Sequence, residues 1–266
     1  MARIFITGSA DGLGLMAAQR LVAEGHQVVL HARNKVRAAH AFRQVPGAET
    51  VFSADLSSIA ETRALAEMVN ASGRFDAIIH NAAVGYQESE RLITADGLAQ
   101  IFAVNTLAPY ILTALIQPPK RLVYLSSSLH SEGDATLQDL MWEKRAWNGE
   151  QAYSDSKLHI MLLTFAIARL WPEVMANCVD PGWVPTKMGG AEAPDALDLG
   201  PATQVWLAAD PALSAAPTGG YFYHQKQGNI LKAALEPALQ QRLLAACAQY
   251  SGIEISHTST GGKRWK

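Results

Sequence analysis

Short apolar runs alternate with longer helical patterns along most of this chain of 266 residues. The runs predict strands at Arg3–Thr7, Gln27–His31, Glu49–Ser53, Phe75–His80, Arg121–Ser126, Val174–Val179 and Gly219–Tyr223. The longer patterns predict helices at Gly12–Glu24, Val36–Arg43, Ser58–Ala71, Gly97–Leu115, Gln151–Leu170 and Glu236–Tyr250. Strands that alternate with helices form a parallel sheet covered by helices on both faces. We therefore predict the α/β class, with three layers and a doubly wound, mostly or wholly parallel seven-stranded sheet.

The composition fits one well-packed domain. Hydrophobic residues make up 49% of the chain and charged residues 17%, which argues against disorder. The formal net charge of −2 gives no basic excess that would attract nucleic acid. The sequence has no linker and no repeat, so we expect a single domain over residues 1–266.

Neither export nor a membrane span is predicted. The first strand begins near Arg3, which leaves no room for a signal peptide. The apolar run Ala108–Ile116 is much shorter than the roughly 20 residues that a span requires. The two cysteines, Cys178 and Cys247, indicate neither a disulfide framework nor a metal cluster. We therefore expect a cytoplasmic protein without a bound metal and without a nucleic-acid or membrane partner.

A glycine-rich turn joins the first strand to the first helix. Gly8 permits a tight turn, Gly12 lets the backbone approach a pyrophosphate, and Gly14 lets the helix pack closely on the strand. The helix N-terminus then offers free N–H groups to phosphate oxygens. Its position in a βαβ unit favours a dinucleotide site over a merely tight turn. The candidate contacts in the turn are Gly8, Ser9, Asp11, Gly12, Leu13 and Gly14.

The spacing Thr-Gly-x3-Gly-x-Gly resembles that of the short-chain dehydrogenase/reductase family, and the resemblance extends from Arg3 to Thr186. It implies a Rossmann fold that binds a nicotinamide dinucleotide. It also implies that Asp55 contacts the adenine amino group, that Leu56 backs the ring, and that Asn81, Ala82 and Ala83 pass under the adenosine ribose. Taken alone, Asp55 or Ser57 could equally cap the next helix.

The end of the second strand indicates which dinucleotide is bound. An NAD site usually has an acidic residue there, but Ala32 occupies that position, and Arg33 and Asn34 follow it. The guanidinium of Arg33 can bind a 2′-phosphate with two hydrogen bonds. We expect NADP(H) in preference to NAD(H), although Asp11 stands where NADP-dependent relatives often carry a basic residue. A solvated basic helix start is the alternative interpretation of Arg33.

Tyr153 and Lys157 stand four residues apart in a predicted helix, so their side chains share one face. Free tyrosine titrates at about pH 10, and a nearby ammonium group lowers its pKa. An exposed helical pair is the alternative interpretation. The resemblance implies that Tyr153 is the acid–base group, and that Lys157 tunes it and binds the nicotinamide ribose.

Three serines, Ser126, Ser127 and Ser128, end the fifth strand. Aligned to the family pattern, Ser127 is the catalytic serine whose hydroxyl donates to the substrate oxygen. Ser128 is the second choice, and a polar strand end is the alternative. The connection Leu129–Glu150 places Tyr153 twenty-six residues after Ser127, a long form that is similar to retinol-dehydrogenase-like members.

Two further segments resemble family motifs. Asn105 lies in a predicted helix, where asparagine is unfavourable. The resemblance implies that it opens the helix locally and holds a water of the proton relay, whereas an exposed polar position is the alternative. After the sixth strand, the resemblance implies contacts to the cofactor from Pro181, Gly182, Val184 and Thr186.

We therefore predict an oxidoreductase that transfers hydride between NADP(H) and a carbonyl compound or an alcohol. Four large side chains in the connections suggest an apolar or aromatic substrate, or equally pack the loops onto the core: Trp142, Trp147, Trp183 and Met188. The alternatives are a regulator that senses NADP without turnover, and a sugar-nucleotide epimerase or dehydratase, which shares Tyr-x3-Lys. The sequence leaves open the substrate, the direction of reaction, whether 183–201 forms a lid, and the choice between monomer and homo-oligomer.

Overall fold

The computed structural model describes residues 1–215 and 218–256, so residues 216, 217 and 257–266 of the expected domain lie outside the described residues. The strands are β1 (Arg3–Ile6), β2 (Gln27–Ala32), β3 (Thr50–Ser53), β4 (Ala77–His80), β5 (Arg121–Leu125), β6 (Met175–Asp180), β7 (Tyr221–Tyr223) and β8 (Lys226–Gln227). The α-helices are α1 (Gly12–Ala23), α2 (Lys35–Gln44), α3 (Ile59–Ala71), α4 (Gln100–Phe102), α5 (Ala108–Leu115), α6 (Gly149–Leu170), α7 (Ala202–Ala209) and α8 (Pro237–Ser251).

The strands form one sheet in the order β3-β2-β1-β4-β5-β6-β7-β8. Neighbouring strands from β3 to β7 run parallel, and β8 runs antiparallel to β7. The prediction of a doubly wound, mostly parallel sheet is confirmed. The number of strands was wrong, because β8 has only two residues and forms a hairpin through His224 and Gln225, both at positive φ. So short a strand has no recognisable pattern in the sequence.

Alternate strand residues enter two separate hydrophobic layers, as a sheet buried on both faces requires. Val28 and Leu30 pack in the layer that contains α1, α2 and α7. Val29 packs in the opposite layer, with α3, α5, α6 and α8. Successive residues of β2 are therefore apolar because both faces of this strand are buried.

The predicted helix Gly97–Leu115 is divided into three parts. It begins at Gln100, and a π-helical turn, Ala103–Leu107, separates α4 from α5. A π turn inserts an extra residue into the helix and is frequent at functional sites. Helix α7 was not predicted. It has eight residues that are nearly all buried, so it lacks the one-sided apolar pattern of a surface helix.

The long connection before α6 is tied to that helix by Arg145. The guanidinium of Arg145 lies 2.8 Å from Asp155 of α6 and 3.5 Å and 3.6 Å from Asp139 and Asp134 of the connection. It also lies over the ring of Trp142, 3.8 Å from the centroid. These contacts fix the connection beside the helix that bears Tyr153.

The strand order creates a crevice at one edge of the sheet. The chain leaves β1 toward β2 and β3 and later returns to pair β4 on the other side of β1. Ligands of open α/β sheets bind at the carboxyl ends of the strands where the order reverses. No helix within the described part of the chain has both the length and the apolar character needed to cross a membrane.

Candidate active site

A cavity of about 450 Å³ lies at the carboxyl ends of the parallel strands. Most of the residues predicted as cofactor contacts line it: Gly8, Asp11, Gly12, Leu13, Arg33, Asp55, Leu56, Asn81, Ala82, Ala83, Tyr153, Lys157, Pro181 and Thr186. The glycine-rich turn and the Tyr153–Lys157 pair, which are separated by well over a hundred residues in sequence, thus face one space. The other predicted residues, described below, lie behind or beside this lining.

The glycine-rich turn is packed tightly against β4's end. Gly8 has φ of +64°, and a Cβ added to it would lie 2.8 Å from Cα of Ala82. A Cβ on Gly14 would lie 2.5 Å from the carbonyl oxygen of Gly8 and would overlap the amide of Asn81. In contrast, a Cβ on Gly12 would meet no atom within 4 Å, so this glycine leaves open space beside the cavity. Gly8 and Gly14 are thus needed for packing, and Gly12 for access.

Asn81 joins the turn to β4. Its side-chain amide donates to the carbonyl oxygens of Thr7 and Gly8, both at 3.1 Å. Ser9 is fully buried, and its hydroxyl donates to the Ile6 carbonyl at 3.0 Å. Asn81 and Ser9 therefore hold the turn in place, and Ser9 does so with a buried side chain that does not line the cavity.

Asp11 caps helix α1, because its carboxylate accepts a hydrogen bond from the Gly12 N–H at 2.9 Å. Its second oxygen lies 2.5 Å from Nζ of Lys187 and 3.5 Å from the guanidinium of Arg37. The hydrogen bond from Lys187 is the main cause that lowers the pKa of Asp11. The acidic residue in the turn is thus balanced by two cations, and both cations line the cavity.

Two residues that the sequence predicted as cofactor contacts have local roles as well. The side chain of Asn34 caps α2 by accepting from the Arg37 N–H at 3.0 Å. Asp55 accepts hydrogen bonds from the backbone and the hydroxyl of Ser57, at 2.9 and 2.8 Å. Neither Asp55 nor Ser57 caps the next helix, because the cap of α3 is Ser58.

Tyr153 and Lys157 lie on one face of α6, as their spacing predicted. Nζ of Lys157 lies 5.1 Å from the centroid of the Tyr153 ring and donates to the carbonyl oxygen of Leu125 at 2.9 Å. Both side chains are buried, so the alternative of an exposed helical pair is wrong. The ring of Tyr86 packs edge-on against Tyr153, at 5.7 Å between centroids.

The pKa values of this pair differ from the expectation. Burial raises the pKa of Tyr153, and the negative charge of Asp180 raises it further. Burial also lowers the pKa of Lys157 to about 8, and Asp180 opposes that shift. The net pKa of Tyr153 is therefore raised rather than lowered, because burial is the largest influence on it.

Asn105 lies in the π-helical turn, and it is buried rather than exposed. Its amide oxygen accepts from the Val84 N–H at 2.8 Å, and its amide nitrogen donates to the Val84 carbonyl at 3.0 Å and to the Ser156 hydroxyl at 3.1 Å. Asn105 thus connects the loop after β4 to Ser156 of α6, the residue before Lys157.

The three serines after β5, Ser126, Ser127 and Ser128, make different contacts. Ser126 is buried, lines the cavity and donates to the carbonyl of Lys157 at 3.0 Å. Ser127 is partly buried and caps a 3₁₀ turn, Ser128–Glu132, by accepting from the Leu129 N–H at 3.3 Å. Ser128 is exposed. Ser127, the predicted catalytic serine, is therefore next to Ser126 in sequence but is not among the residues that line the cavity, and its hydroxyl oxygen accepts from the backbone.

The connection after β6 closes over the cavity. Gly182 has φ of +83°, and its N–H donates to the carboxylate of Asp180 at 2.9 Å. Val184, within the connection, is buried. The Thr186 N–H donates to the Val184 carbonyl at 2.7 Å. Met188 follows, and its sulfur lies 3.9 Å from the Tyr153 hydroxyl.

The tryptophans of the connections mainly pack them onto the protein. Trp142 is buried against Arg145, and the indole N–H of Trp147 donates to the Glu88 carbonyl at 2.9 Å. Trp183 is 54% exposed, and its indole N–H donates to the Gly189 carbonyl at 2.7 Å. Of the four large side chains singled out in the sequence, only Met188 lines the cavity.

The family model for short chain dehydrogenases matches residues 2–196. The chain belongs to the short-chain dehydrogenase family. An uncharacterized oxidoreductase, AN7799, of Emericella nidulans is 45% identical over 260 residues, covering 96% of this chain and 99% of that protein. Human retinol dehydrogenase 13 is 29% identical, covering 94% of this chain and 85% of that protein. A solved structure of a Mycobacterium paratuberculosis protein superposes with a TM-score of 0.83 at 25% identity, covering 96% and 95% of the two chains.

Sequence reasoning missed several lining residues of this short-chain dehydrogenase. They are Ala10, His31, Ala54, Ser57, Val84, Gln100, Val104, Leu125 and Lys187. Ala10, Ala54 and Val84 follow predicted strand ends and could have been included on that ground. Lys187 and His31 gave no signal, because their contacts to the turn depend on how distant segments fold together.

Proposed function

We propose that this oxidoreductase uses NADP(H) to interconvert a carbonyl compound and an alcohol. The observation that carries the proposal is that Tyr153 and Lys157 line the same cavity as the glycine-rich turn. One cavity thus offers a place for the phosphates and, at its other end, a buried hydroxyl beside a buried amine. A fold of this family hosts many chemistries, so the proposal depends on these residues and not on the fold alone.

The residues present fit a dinucleotide. The open space beside Gly12 and the N-terminus of α1 form a cradle for phosphate oxygens. Leu56 and Asp55 would hold the adenine, and Asn81, Ala82 and Ala83 would lie along the ribose. Pro181, Gly182, Val184 and Thr186 would contact the nicotinamide. When bound, the cofactor supplies or accepts the hydride.

Three features support a preference for NADP(H). Arg33 and Arg37 both line the adenosine end of the cavity. Ala32 offers no carboxylate to accept from a 2′-hydroxyl. Asp11, the residue that argued against NADP(H), is paired with Lys187 and Arg37, so its charge is compensated. A 2′-phosphate dianion would be held by the two guanidinium groups.

We assign the proton chemistry to Tyr153. In the reductive direction its hydroxyl donates a proton to the substrate oxygen, and in the oxidative direction the phenolate removes one. Burial favours the protonated tyrosine here, and the positive nicotinamide of the oxidised cofactor would favour the phenolate. Lys157 adds its positive charge and would bond the nicotinamide ribose. Ser127, whose oxygen accepts from the Leu129 N–H, keeps its own O–H proton to donate to the substrate oxygen, and Asn105 would hold the proton relay.

The substrate end of the cavity is apolar. Val84 and Met188 line it and pack in the same apolar cluster as Tyr153, which fits an apolar or aromatic carbonyl compound. We further propose that residues 1–266 act as one domain. The two buried free thiols, Cys178 and Cys247, fit a reducing compartment such as the cytoplasm.

The first experiment is a titration with NADPH and NADH, following nicotinamide fluorescence at matched salt. We expect NADPH to bind at least about tenfold more tightly, and Arg33→Ala to weaken NADPH without weakening NADH. Equal binding of the two cofactors would overturn the NADP preference alone. If neither cofactor binds, the oxidoreductase proposal fails.

The second experiment is a screen of carbonyl compounds with NADPH, followed by Tyr153→Phe on any substrate found. We expect the variant to lose a factor of about 10² to 10⁴ in kcat while keeping its NADPH affinity. Tyr86→Phe, on the neighbouring ring, is the matched control and should keep activity. Tight NADPH binding without any turnover would favour the sensing regulator instead.

A further inference from the structure

His31 is a buried imidazole between the glycine-rich turn and the end of β3. Its Nδ1 accepts a hydrogen bond from the Gly8 N–H at 3.0 Å, and its Nε2 lies 3.0 Å from the carbonyl oxygen of Ala54. The backbone of His31 pairs with Ser9, since the His31 N–H donates to the Ser9 hydroxyl and the Ser9 N–H donates to the His31 carbonyl. One residue of β2 thus holds two consecutive residues of the turn.

The two partners of the ring fix its protonation. An amide N–H can only donate, so Nδ1 must present a lone pair to Gly8. A carbonyl oxygen can only accept, so Nε2 must carry the proton that it shares with Ala54. Burial lowers the pKa of His31 to about 4, against the opposing charge of Asp55. The ring is therefore neutral in the tautomer that both contacts require.

Gly8 is held from the opposite side as well. Its carbonyl accepts from the Asn81 amide, and Ala82 lies so close that even a Cβ would collide with it. His31 supplies the matching contact from β2, and it lines the same cavity as Gly8 and Gly12. The first peptide of the turn is thus clamped between two strand ends.

We infer that His31 is a positioning residue for the dinucleotide, which holds the glycine-rich turn in its binding form through the hydrogen bond from Gly8 to Nδ1. The inference rests on the proposed function. Without an acceptor at Nδ1, the N–H of the partly buried Gly8 would lose its partner within the protein, and the turn would relax in the free protein to find another. Binding of the dinucleotide would then have to restore the turn, and the affinity would fall.

Three variants separate this role from simple packing. In His31→Asn, the side-chain oxygen stands near the place of Nδ1 and can accept from Gly8, but the side chain does not reach Ala54. In His31→Gln, the terminal amide stands near the place of Nε2 and can donate to Ala54. In His31→Phe, the ring volume is kept and both hydrogen bonds are lost.

The test measures the dissociation constant of NADPH by nicotinamide fluorescence, the melting temperature, and kcat at saturating NADPH. We expect His31→Phe and His31→Gln to bind NADPH about tenfold more weakly, His31→Asn to stay within about threefold of the parent protein, and kcat to stay within about twofold in all three. If His31→Phe does not fold, the NADPH affinities of His31→Asn and His31→Gln decide whether the inference holds.

Equal NADPH affinity in all folded variants would overturn the inference, and so would a loss in His31→Asn as large as that in His31→Gln. A fall in kcat with unchanged affinity would also overturn it. If the parent protein itself binds neither NADPH nor NADH, the proposed function fails first, and this result is distinguishable because it does not depend on any variant.

Discussion

The hydroxyl of Tyr153 lies 3.9 Å from the sulfur of Met188, so the connection after β6 covers the side chain proposed to transfer the proton. Met188 also contacts the loop after β4, where a Cβ on Gly85 would lie 3.0 Å from its Cγ. Met188 thus helps to bury the phenol, and the segment that bears it is joined to the turn by the ion pair of Lys187 with Asp11.

Replacing Met188 by alanine is expected to lower the pKa of Tyr153, because burial is the main cause that raises it. Alcohol oxidation needs the phenolate, so the rise of kcat with pH should move to lower pH by about one unit. The measurement is the pH profile of kcat at saturating cofactor and alcohol. Met188→Leu keeps the apolar cover and is the control. Identical profiles for the two variants would contradict this account.

Replacing Arg145 by glutamine is expected to lower the free energy of unfolding by about 2 to 3 kcal/mol. Asp155 and Asp139 are only 5% and 7% exposed, and they would lose the cation between them. The estimate is reduced because Arg145 itself is one-third exposed. Urea unfolding measures the loss. Lys120→Gln, which removes an exposed pair with Asp76, should change stability by less than about 0.5 kcal/mol. A similar loss in both variants would refute the buried-pair argument.

Acid is expected to destabilise the protein between about pH 6.5 and pH 4. Burial lowers the pKa of His31 and His159 to about 4 and that of His80 to about 3. The unfolded chain binds protons at these histidines below about pH 6.5 while the native state does not, so the free energy of unfolding falls as pH falls. Above that range the three histidines add no pH dependence.

At its steepest the slope from the three histidines reaches about 4 kcal/mol per pH unit. Urea midpoints measured from pH 7.5 to 4.5 test the slope. His80→Phe keeps a ring against Tyr124, on which His80 stacks at 4.7 Å, and should remove about one-third of the slope. His40→Gln, at an exposed position of α2, is the control. A midpoint that does not change between pH 7 and pH 5 would show that these rings take up protons in the native state.

Replacing Gly14 by alanine is expected to lower the free energy of unfolding by about 2 kcal/mol, because the new methyl group would press on Gly8 and Asn81. NADPH affinity should fall at least tenfold with it. Gly25→Ala is the control, since a Cβ on Gly25 would meet no atom within 4 Å, although Gly25, unlike Gly14, has a positive φ. Gly25→Ala should lower the free energy of unfolding by only about 1 kcal/mol, from backbone strain, and should bind NADPH normally. Normal NADPH affinity in a folded Gly14→Ala protein would contradict the packing role of Gly14.

Most of the sheet could be predicted because the central parallel strands are buried on both faces. Val28, Val29 and Leu30 enter two different layers, so the whole run has to be apolar. The turn from Gly8 to Gly14 could also be predicted, because backbone conformation or close packing favours glycine at Gly8, Gly12 and Gly14. Helix α7 and strand β8 were missed because one is buried nearly all round and the other has two residues.

The site was predictable only where a contact is local in sequence. Tyr153 and Lys157 share a helix face, so their pairing follows from a spacing of four. The contact between Lys187 and Asp11, in contrast, joins residues 176 positions apart, and no local pattern encodes it. The pKa of Tyr153 was misjudged for a related reason. The sequence displays the neighbouring charge of Lys157 but not the degree to which the fold removes water.

The two-residue strand β8 also determines how the sheet ends. It covers the edge of β7 and then presents Lys226 and Gln227, both exposed, as the last strand. A short outer strand with a charged side chain is a poor template for another extended chain. The hairpin therefore works as a guard against edge-to-edge aggregation, which a protein with so many buried parallel strands would otherwise risk at this border.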